Sequence, residues 1–264
     1  MAVGGVGAPL MPFVDAFLLA NESRPVACQN LGGIGNVTAM FPGGADVIAF
    51  DTGPGNCIMD LIVRLHSMAG DVVRNCDLDG RMAQSGTLSE PLLARMQTHP
   101  FLKLAPPRAT GREDFGIDFV RKMMGWEEAD NLSVADMLRT ALEFTAVTVA
   151  DAYARYIVPR LPADGAGIEV VFTGGGAHNP VLMERIVALM PEQVRVRTAL
   201  GRQAAPTDDL VEHHLCLSGD AKEAIGFAVL AHANLSRVPA GGSSWTGGRR
   251  PVVMGVMADG RPLE

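Results

Sequence analysis

The chain has no run of Lys or Arg longer than a pair, such as Arg249-Arg250, and its formal net charge is −7 over 264 residues. A surface that neutralises nucleic-acid phosphates or anionic lipid needs the opposite sign, so neither nucleic acid nor membrane is expected as a partner. Cysteine is scarce as well. Cys28, Cys57, Cys76 and Cys216 form no CxxC pair, which argues against a disulfide framework or structural zinc and for reduced, cytoplasmic thiols. Long apolar runs are missing. The opening MAVGGVGAPLMPFVDAFLLA has no basic start and is broken by Pro9, Pro12 and Asp15, and no other stretch reaches the roughly eighteen apolar residues of a membrane span. Two familiar nucleotide signatures are absent too, the Walker pattern GxxxxGKS/T and the dinucleotide pattern GxGxxG, and no internal repeat is visible.

What is present is core material and glycine. With 48% hydrophobic and 19% charged residues the chain can bury a substantial core, enough for one large domain or two small ones. Three short β-rich runs, Val26–Leu31, Asn36–Phe41 and Asp46–Phe50, are separated by Gly-Gly and Pro-Gly-Gly turns and predict an antiparallel meander. Asp51-Thr52-Gly53-Pro54-Gly55-Asn56 follows as a loop, and Ile58, Leu61, Ile62 and Leu65 at helical spacing predict a helix after it. Residues 71–130 predict helices and loops, with one helix at 88–99 and a polar loop PPRATGRED at 106–114. Ser133 caps a long amphipathic helix over 133–158, ended by Pro159. A buried strand at 168–172 leads into Gly174-Gly175-Gly176 and a helix with Asn179 as N-cap and Pro180 at its first position. A short strand at 193–198, a helix over DAKEAIGFAVLAHAN and a last short strand complete an α/β pattern.

The strand–glycine loop–helix unit therefore occurs twice. Such a loop lets main-chain N–H groups approach an anion, and the helix N-terminus adds its partial positive charge. In the first loop Asp51 leads Thr52, Gly53 and Gly55, a carboxylate for hydrated Mg2+ beside donors for phosphate oxygens. Each loop taken singly reads equally well as a plain tight turn; two in one chain favour a phosphate ligand. Glu212, His213, His214 and Cys216 sit too close in sequence to share one metal and read as a solvated loop.

The residues in these segments resemble the anhydro-N-acetylmuramic acid kinases, members of the sugar-kinase, heat-shock-protein 70 and actin superfamily. The resemblance is carried by GGVGAPLMPFVDAFL (4–18), QNLGGIGNVT (29–38), FDTGPGN (50–56), PPRATGREDFG (106–116), LRTALEFTAVTVADA (138–152), FTGGGAHNPVLMERI (172–186) and DAKEAIGFAVLAHANL (220–235), in the family's order. It implies an RNase H-like lobe of the actin and hexokinase type, a mixed sheet with an antiparallel meander and flanking helices. Residues 1–248 would form that lobe, with the phosphate meander at 26–60, a helical part at 71–160 and an adenosine region at 168–235, and 249–264 would return onto an N-terminal lobe. The implied activity uses ATP and Mg2+ to phosphorylate O6 of 1,6-anhydro-N-acetylmuramate while water opens its ring, a step of peptidoglycan recycling. Carried over residue by residue, Asp51 holds Mg2+ through water, and Thr52, Gly53, Gly55 and Asn56 stand near the β/γ-phosphates. Gly174, Gly175, Gly176 and Asn179 support the nucleoside side. Glu223 is a candidate for the sugar or the metal, or an ordinary first-turn helix acid. Arg108 and Arg112 read as solvated loop charges, with the substrate's lactyl carboxylate as the other contact.

Members of that family open on a loop of the form MSGTSLDG and carry their catalytic Asp a few residues before GGxGAPL. By that register the base falls just before Met1, Asp15 is no substitute, and Val6 and Ala109 replace the usual Gln and Ser. The expectation is a chain with little kinase activity by itself. The alternatives are an inactive nucleotide-binding or homodimerising module and another small-molecule kinase of the same superfamily.

Overall fold

The computed structural model describes residues 11–18, 24–42, 46–67, 75–163, 165–197, 222–240 and 249–255. Five strands form one mixed sheet: β1 (Val26–Leu31), β2 (Ile34–Met40), β3 (Val47–Pro54), β4 (Ile168–Thr173) and β5 (Val194–Arg197), in the order β3-β2-β1-β4-β5. The Gly32-Gly33 turn folds β2 back on β1 and a second turn folds β3 on β2, both antiparallel, while β4 joins the other side of β1 in parallel and β5 extends it. The expected meander and mixed sheet are present.

Helices follow in chain order: α1 (Met11–Leu18), α2 (Cys57–Ser67), α3 (Arg81–Ser85), α4 (Glu90–Met96), α5 (Arg112–Phe115), α6 (Ile117–Met124), α7 (Val134–Ala152), α8 (Pro180–Leu189) and α9 (Lys222–Leu235). Helix α7 is the axle. Ser133 caps it through a full capping box with Asp136, and it runs along the sheet against β3, α2, α3, α4 and α8. Along β1 the side chains of Ala27 and Leu31 enter the main core with Val37 and Ala39 of β2, Phe50 of β3 and Phe172 of β4, facing Ile58 and Ile62 of α2 and Leu138, Leu142 and Val149 of α7. Val26 and Cys28 alternate to the other face and pack with Met40 and Val47 under Ala16 of α1.

Three boundaries differ from the sequence reading. Strand β3 continues through Asp51-Thr52-Gly53-Pro54, which are ladder residues and not loop, because Ile34 and Gly35 extend β2 far enough to pair with them. The register steps between Gly35 and Asn36, leaving Thr52 as the extra residue of a β-bulge. Helix α7 passes into a π-helical turn, Tyr153–Ile157, and a 3-10 turn, Val158–Arg160, so Pro159 sits inside the last turn, where its missing N–H costs no helical bond. The last expected strand is a single bridge at Val252, held by the Ala240 N–H on the Val252 carbonyl at 3.1 Å and by Asn234 Nδ2 on the Met254 carbonyl at 2.6 Å. Among the described residues no helix is long and apolar enough to cross a membrane.

Candidate functional site

Ladder register places four polar residues in one row across four strands: Asp51 pairs with Asn36, Asn36 with Asn30, and Asn30 with Thr173. By the alternation of each strand this row lies on the face of Val26, Cys28, Met40 and Val47, one rim above that small apolar cluster. Thr173 Oγ1 and Asn30 Oδ1 are 3.4 Å apart. Both glycine loops leave from the ends of this row, one beyond Asp51 and the other beyond Thr173.

The loops meet over the Gly32-Gly33 turn. The Gly55 and Cys57 N–H groups donate to the Gly33 carbonyl at 2.9 and 3.1 Å, and the Asn56 N–H to the Gly32 carbonyl at 2.8 Å. A methyl on Gly55 would collide with the Gly32 carbonyl oxygen, so glycine there is a requirement of close approach. Asn56 links the second loop: its Nδ2 donates to the Leu31 carbonyl at 3.3 Å, and its Oδ1 lies 3.0 Å from where a Gly176 side chain would begin. Gly174 has φ +83 and presses on Asn30 and Leu31, a position closed to other residues by both conformation and space. Gly175 faces outward, exposed, and among the described residues no carbonyl accepts from the Gly175 or Gly176 N–H.

Several expected roles change on this geometry. The Thr52 side chain is fully buried, turned by the bulge into the core against Gln29 Nε2 at 3.4 Å, and offers no hydroxyl to a ligand. Gly53 is in the ladder opposite Gly35, and the amide of Gly55 is committed to the hairpin, so this loop supplies fewer free donors than its composition suggested. Asn179 caps α8 with Oδ1 on the Leu182 N–H at 3.1 Å and packs on Gly80. Arg108 is no solvated charge: 6% exposed, it lies beneath three aromatic rings. Arg112 is exposed on α5. Glu223 stands in the first turn of α9 with its side chain outside the described residues, as is the whole 212–216 cluster. The sequence reading missed Asn30, Asn36 and Thr173; the register of the predicted meander was a signal for Asn36 opposite Asp51 and Asn30 beside it, while Thr173 joins the row only through the parallel pairing of β4 with β1.

Among the described candidate residues Asp51 has a strongly perturbed carboxyl. Burial pushes it up from 3.8 to about 6, against the Thr110 N–H on its Oδ2 at 2.8 Å and the charge of Arg108, while Glu113 adds a small upward push. Its Oδ1 accepts no hydrogen bond among the described residues. A half-buried carboxylate with one open oxygen, held above its ordinary range by desolvation, fits a hydrated Mg2+: a cation restores what burial removes. Cys57 stands at the same rim with its thiol pushed up to about 12 by burial, which makes it a packing residue and not a nucleophile at neutral pH. Among the described residues no three His, Cys, Asp or Glu side chains cluster to hold a metal by themselves.

Comparison with known proteins gives the same direction. A family model described as anhydro-N-acetylmuramic acid kinase matches residues 1–260. The anhydro-N-acetylmuramic acid kinase of Picosynechococcus sp. is 40% identical over 262 residues, which take in 97% of this chain and 63% of that protein. That of Caldanaerobacter subterraneus is 37% identical over 261 residues, 97% of this chain and 60% of that one. The chain thus spans about three-fifths of the length of these curated relatives. Among solved structures, the activator of the 2-hydroxyisocaproyl-CoA dehydratase from Clostridium difficile aligns with a TM-score of 0.36 and 13% identity, over 80% of this chain and 64% of that one, a score too low to bear on fold or function. On the family match and the relatives' identity, the chain belongs to the anhydro-N-acetylmuramic acid kinase family.

Proposed function

We propose that this chain supplies the phosphate-holding side of an ATP-dependent kinase acting on 1,6-anhydro-N-acetylmuramate. In that reaction water adds at C1, the C1–O6 bond breaks, and O6 takes the γ-phosphoryl group of ATP, giving N-acetylmuramate 6-phosphate and ADP. Family membership supports the reaction class. The observation that carries the reading to these residues is the registered row Asp51–Asn36–Asn30–Thr173 ending in a glycine loop on each side.

Bound Mg2+ would neutralise charge on the phosphate oxygens. The chain's own contribution is placement. Asp51 Oδ1 is the oxygen open to a hydrated cation, the Asn30 and Asn36 carboxamides are neutral donors on the same face, and the exposed Gly175 amide is available to an anion. Because these groups sit on strands and a closed hairpin, they need no reorganisation when charge arrives. Arg112 stays a surface candidate for a substrate carboxylate, while Arg108 is withdrawn from that role.

Thermal melts with and without Mg-ATP test the reading. The wild-type midpoint is expected to rise at millimolar Mg-ATP, and the rise is expected to vanish in Asp51→Asn. No shift in the wild type would overturn the nucleotide site and leave an inert or dimerising module. The sugar is tested by the further rise in melting midpoint that 1,6-anhydro-N-acetylmuramate gives in the presence of Mg-ATP, against N-acetylmuramate as control; equal rises with both would refute the substrate.

A further inference from the structure

Arg108 is gripped from every side. Its guanidinium carbon lies 4.8 Å from the Phe101 ring centre, 5.2 Å from Tyr156 and 5.4 Å from Phe50. Nε donates to the Asp51 carbonyl at 2.9 Å, Nη1 to the Leu104 carbonyl at 2.9 Å and Nη2 to the Thr52 carbonyl at 3.4 Å. The same segment then takes hold of Asp51 by its other atoms: the Asp51 N–H donates to the Arg108 carbonyl at 3.1 Å, and the Thr110 N–H donates to Asp51 Oδ2. Residues 108–110 therefore bind the amide, the carbonyl and the carboxylate of one residue, along the open edge of β3.

The cage is built by the end of α7. In its π-helical turn Arg155 Nη1 donates to the Leu102 carbonyl at 3.2 Å and the Tyr156 hydroxyl donates to the Leu104 carbonyl at 3.2 Å, so consecutive residues pin the segment leading to Arg108. No carboxylate of the described residues forms an ion pair with Arg108. Its guanidinium is stabilised by ring faces and carbonyl dipoles, an arrangement that suits a planar fork with several donors and not an ammonium.

We propose that Arg108 is a positioning residue: its caged guanidinium locks the 106–110 segment to the edge of β3 and so fixes where the Asp51 carboxylate stands for its ligand. This rests on the reading of Asp51 as the cation-side residue of the site. Two charges act on Asp51 from the segments packed against it, Arg108 downward and Glu113 upward, and Arg108 itself feels Tyr156, Asp151, Arg155 and Asp51. Removing the guanidinium removes the attraction and leaves burial and Glu113.

The test is Mg-ATP binding by calorimetry in wild type, Arg108→Met and Arg108→Lys, with hydrogen exchange at the Asp51 and Thr110 amides and melts to confirm folding. In Arg108→Met the Asp51 and Thr110 amides are expected to lose protection while the Val37 amide in the middle of the sheet keeps its own, and Mg-ATP binding is expected to weaken several-fold. Arg108→Lys, which keeps charge but not the fork, is expected to behave as Arg108→Met does. A folded variant of either kind with wild-type affinity and wild-type protection at Asp51 and Thr110 overturns the proposal. Should neither variant fold, the wild type decides: the Asp51 and Thr110 amides are expected to exchange as slowly as Val37, and fast exchange there overturns the proposal. Protection lost in Arg108→Met while the wild type itself ignores Mg-ATP sinks the proposed function and leaves the locking of the segment standing.

Discussion

Replacing Asp51 by Asn should make the protein more stable at neutral pH, and the size of the gain should depend on pH in a defined direction. The carboxyl ionises at about 6 in the folded chain and at 3.8 when unconstrained. Below 3.8 both states are protonated and the group contributes nothing. Between these values the unfolded chain has released its proton and the folded chain has not, so stability falls as pH rises. Above 6 both are ionised and the full cost of desolvating the carboxylate is present. Roughly two pH units at 1.36 kcal/mol each give about 3 kcal/mol as a ceiling, and water at the open Oδ1 lowers it toward about 1 kcal/mol. Asn keeps an oxygen for the Thr110 N–H, so the substitution removes charge with little loss of contact. Urea melts of both proteins in Mg-free buffer from pH 4 to 8 should show the Asn variant gaining on the wild type between pH 4 and 6 and holding a constant lead above. Other titrating groups cancel in the difference, except Arg108 and Glu113, which are coupled to Asp51. A difference that is flat across this range, or that grows as pH falls, would refute the assignment of burial as the dominant influence on Asp51.

Arg185 holds the buried Glu143 carboxylate of α7, 5% exposed, by two bonds at 2.6 and 2.8 Å. Arg185→Met should cost about 3 kcal/mol in urea melts by stranding that charge, and adding Glu143→Gln should recover most of the loss. Gly55→Ala should cost about 2 kcal/mol and expose the Gly55, Asn56 and Cys57 amides to hydrogen exchange, because the methyl forces the loop off the hairpin. Gly33→Ala is the control, its nearest obstacle being Cys57 Cβ at 3.9 Å, and should change stability by less than about 0.5 kcal/mol. Ser133→Ala should cost about 1 kcal/mol in thermal melts through loss of the capping box on α7.

Periodicity and punctuation revealed most of the architecture. The bounds of β1, the cap at Ser133, and Asn179 with Pro180 opening α8 were all readable because each is a local signal: alternation, a short polar side chain, a ring that presets φ. Asp51 was readable as a candidate because an acid after a β-run and before a glycine loop has few structural uses. The errors share a cause. Whether DTGP is loop or strand depends on how far β2 reaches alongside it, and whether Arg108 is solvated depends on Phe50, Phe101 and Tyr156, which come from three separate parts of the chain. No window of sequence contains those neighbours. The polar row is an intermediate case, since Asn36 opposite Asp51 follows from the meander once the turns are fixed, but Thr173 opposite Asn30 needs the parallel pairing of β1 with β4, separated by more than a hundred residues.

The hairpin explains why glycine is concentrated where it is. Two carbonyls, of Gly32 and Gly33, take three N–H groups from the Gly55–Cys57 turn, and the Gly174–Gly176 turn packs down on Leu31 from the other side. A loop whose amides are already paired is rigid but cannot also wrap a phosphate with those amides. Under the proposed function, the recognition of a polyphosphate therefore falls to side chains on the strands and to the Gly175 amide, with the first glycine loop acting as the frame that holds Asp51 and α2 in register. This division makes a prediction that separates it from a conventional amide-lined phosphate loop. Asn30→Ala and Asn36→Ala should each weaken Mg-ATP binding, measured by calorimetry, about tenfold, the value of one lost hydrogen bond to a charged group, while leaving the exchange protection of the Gly55 and Asn56 amides unchanged. If instead nucleotide raises the protection of those amides and the two Asn variants bind as wild type does, the loop opens to receive phosphate and the frame assignment is wrong.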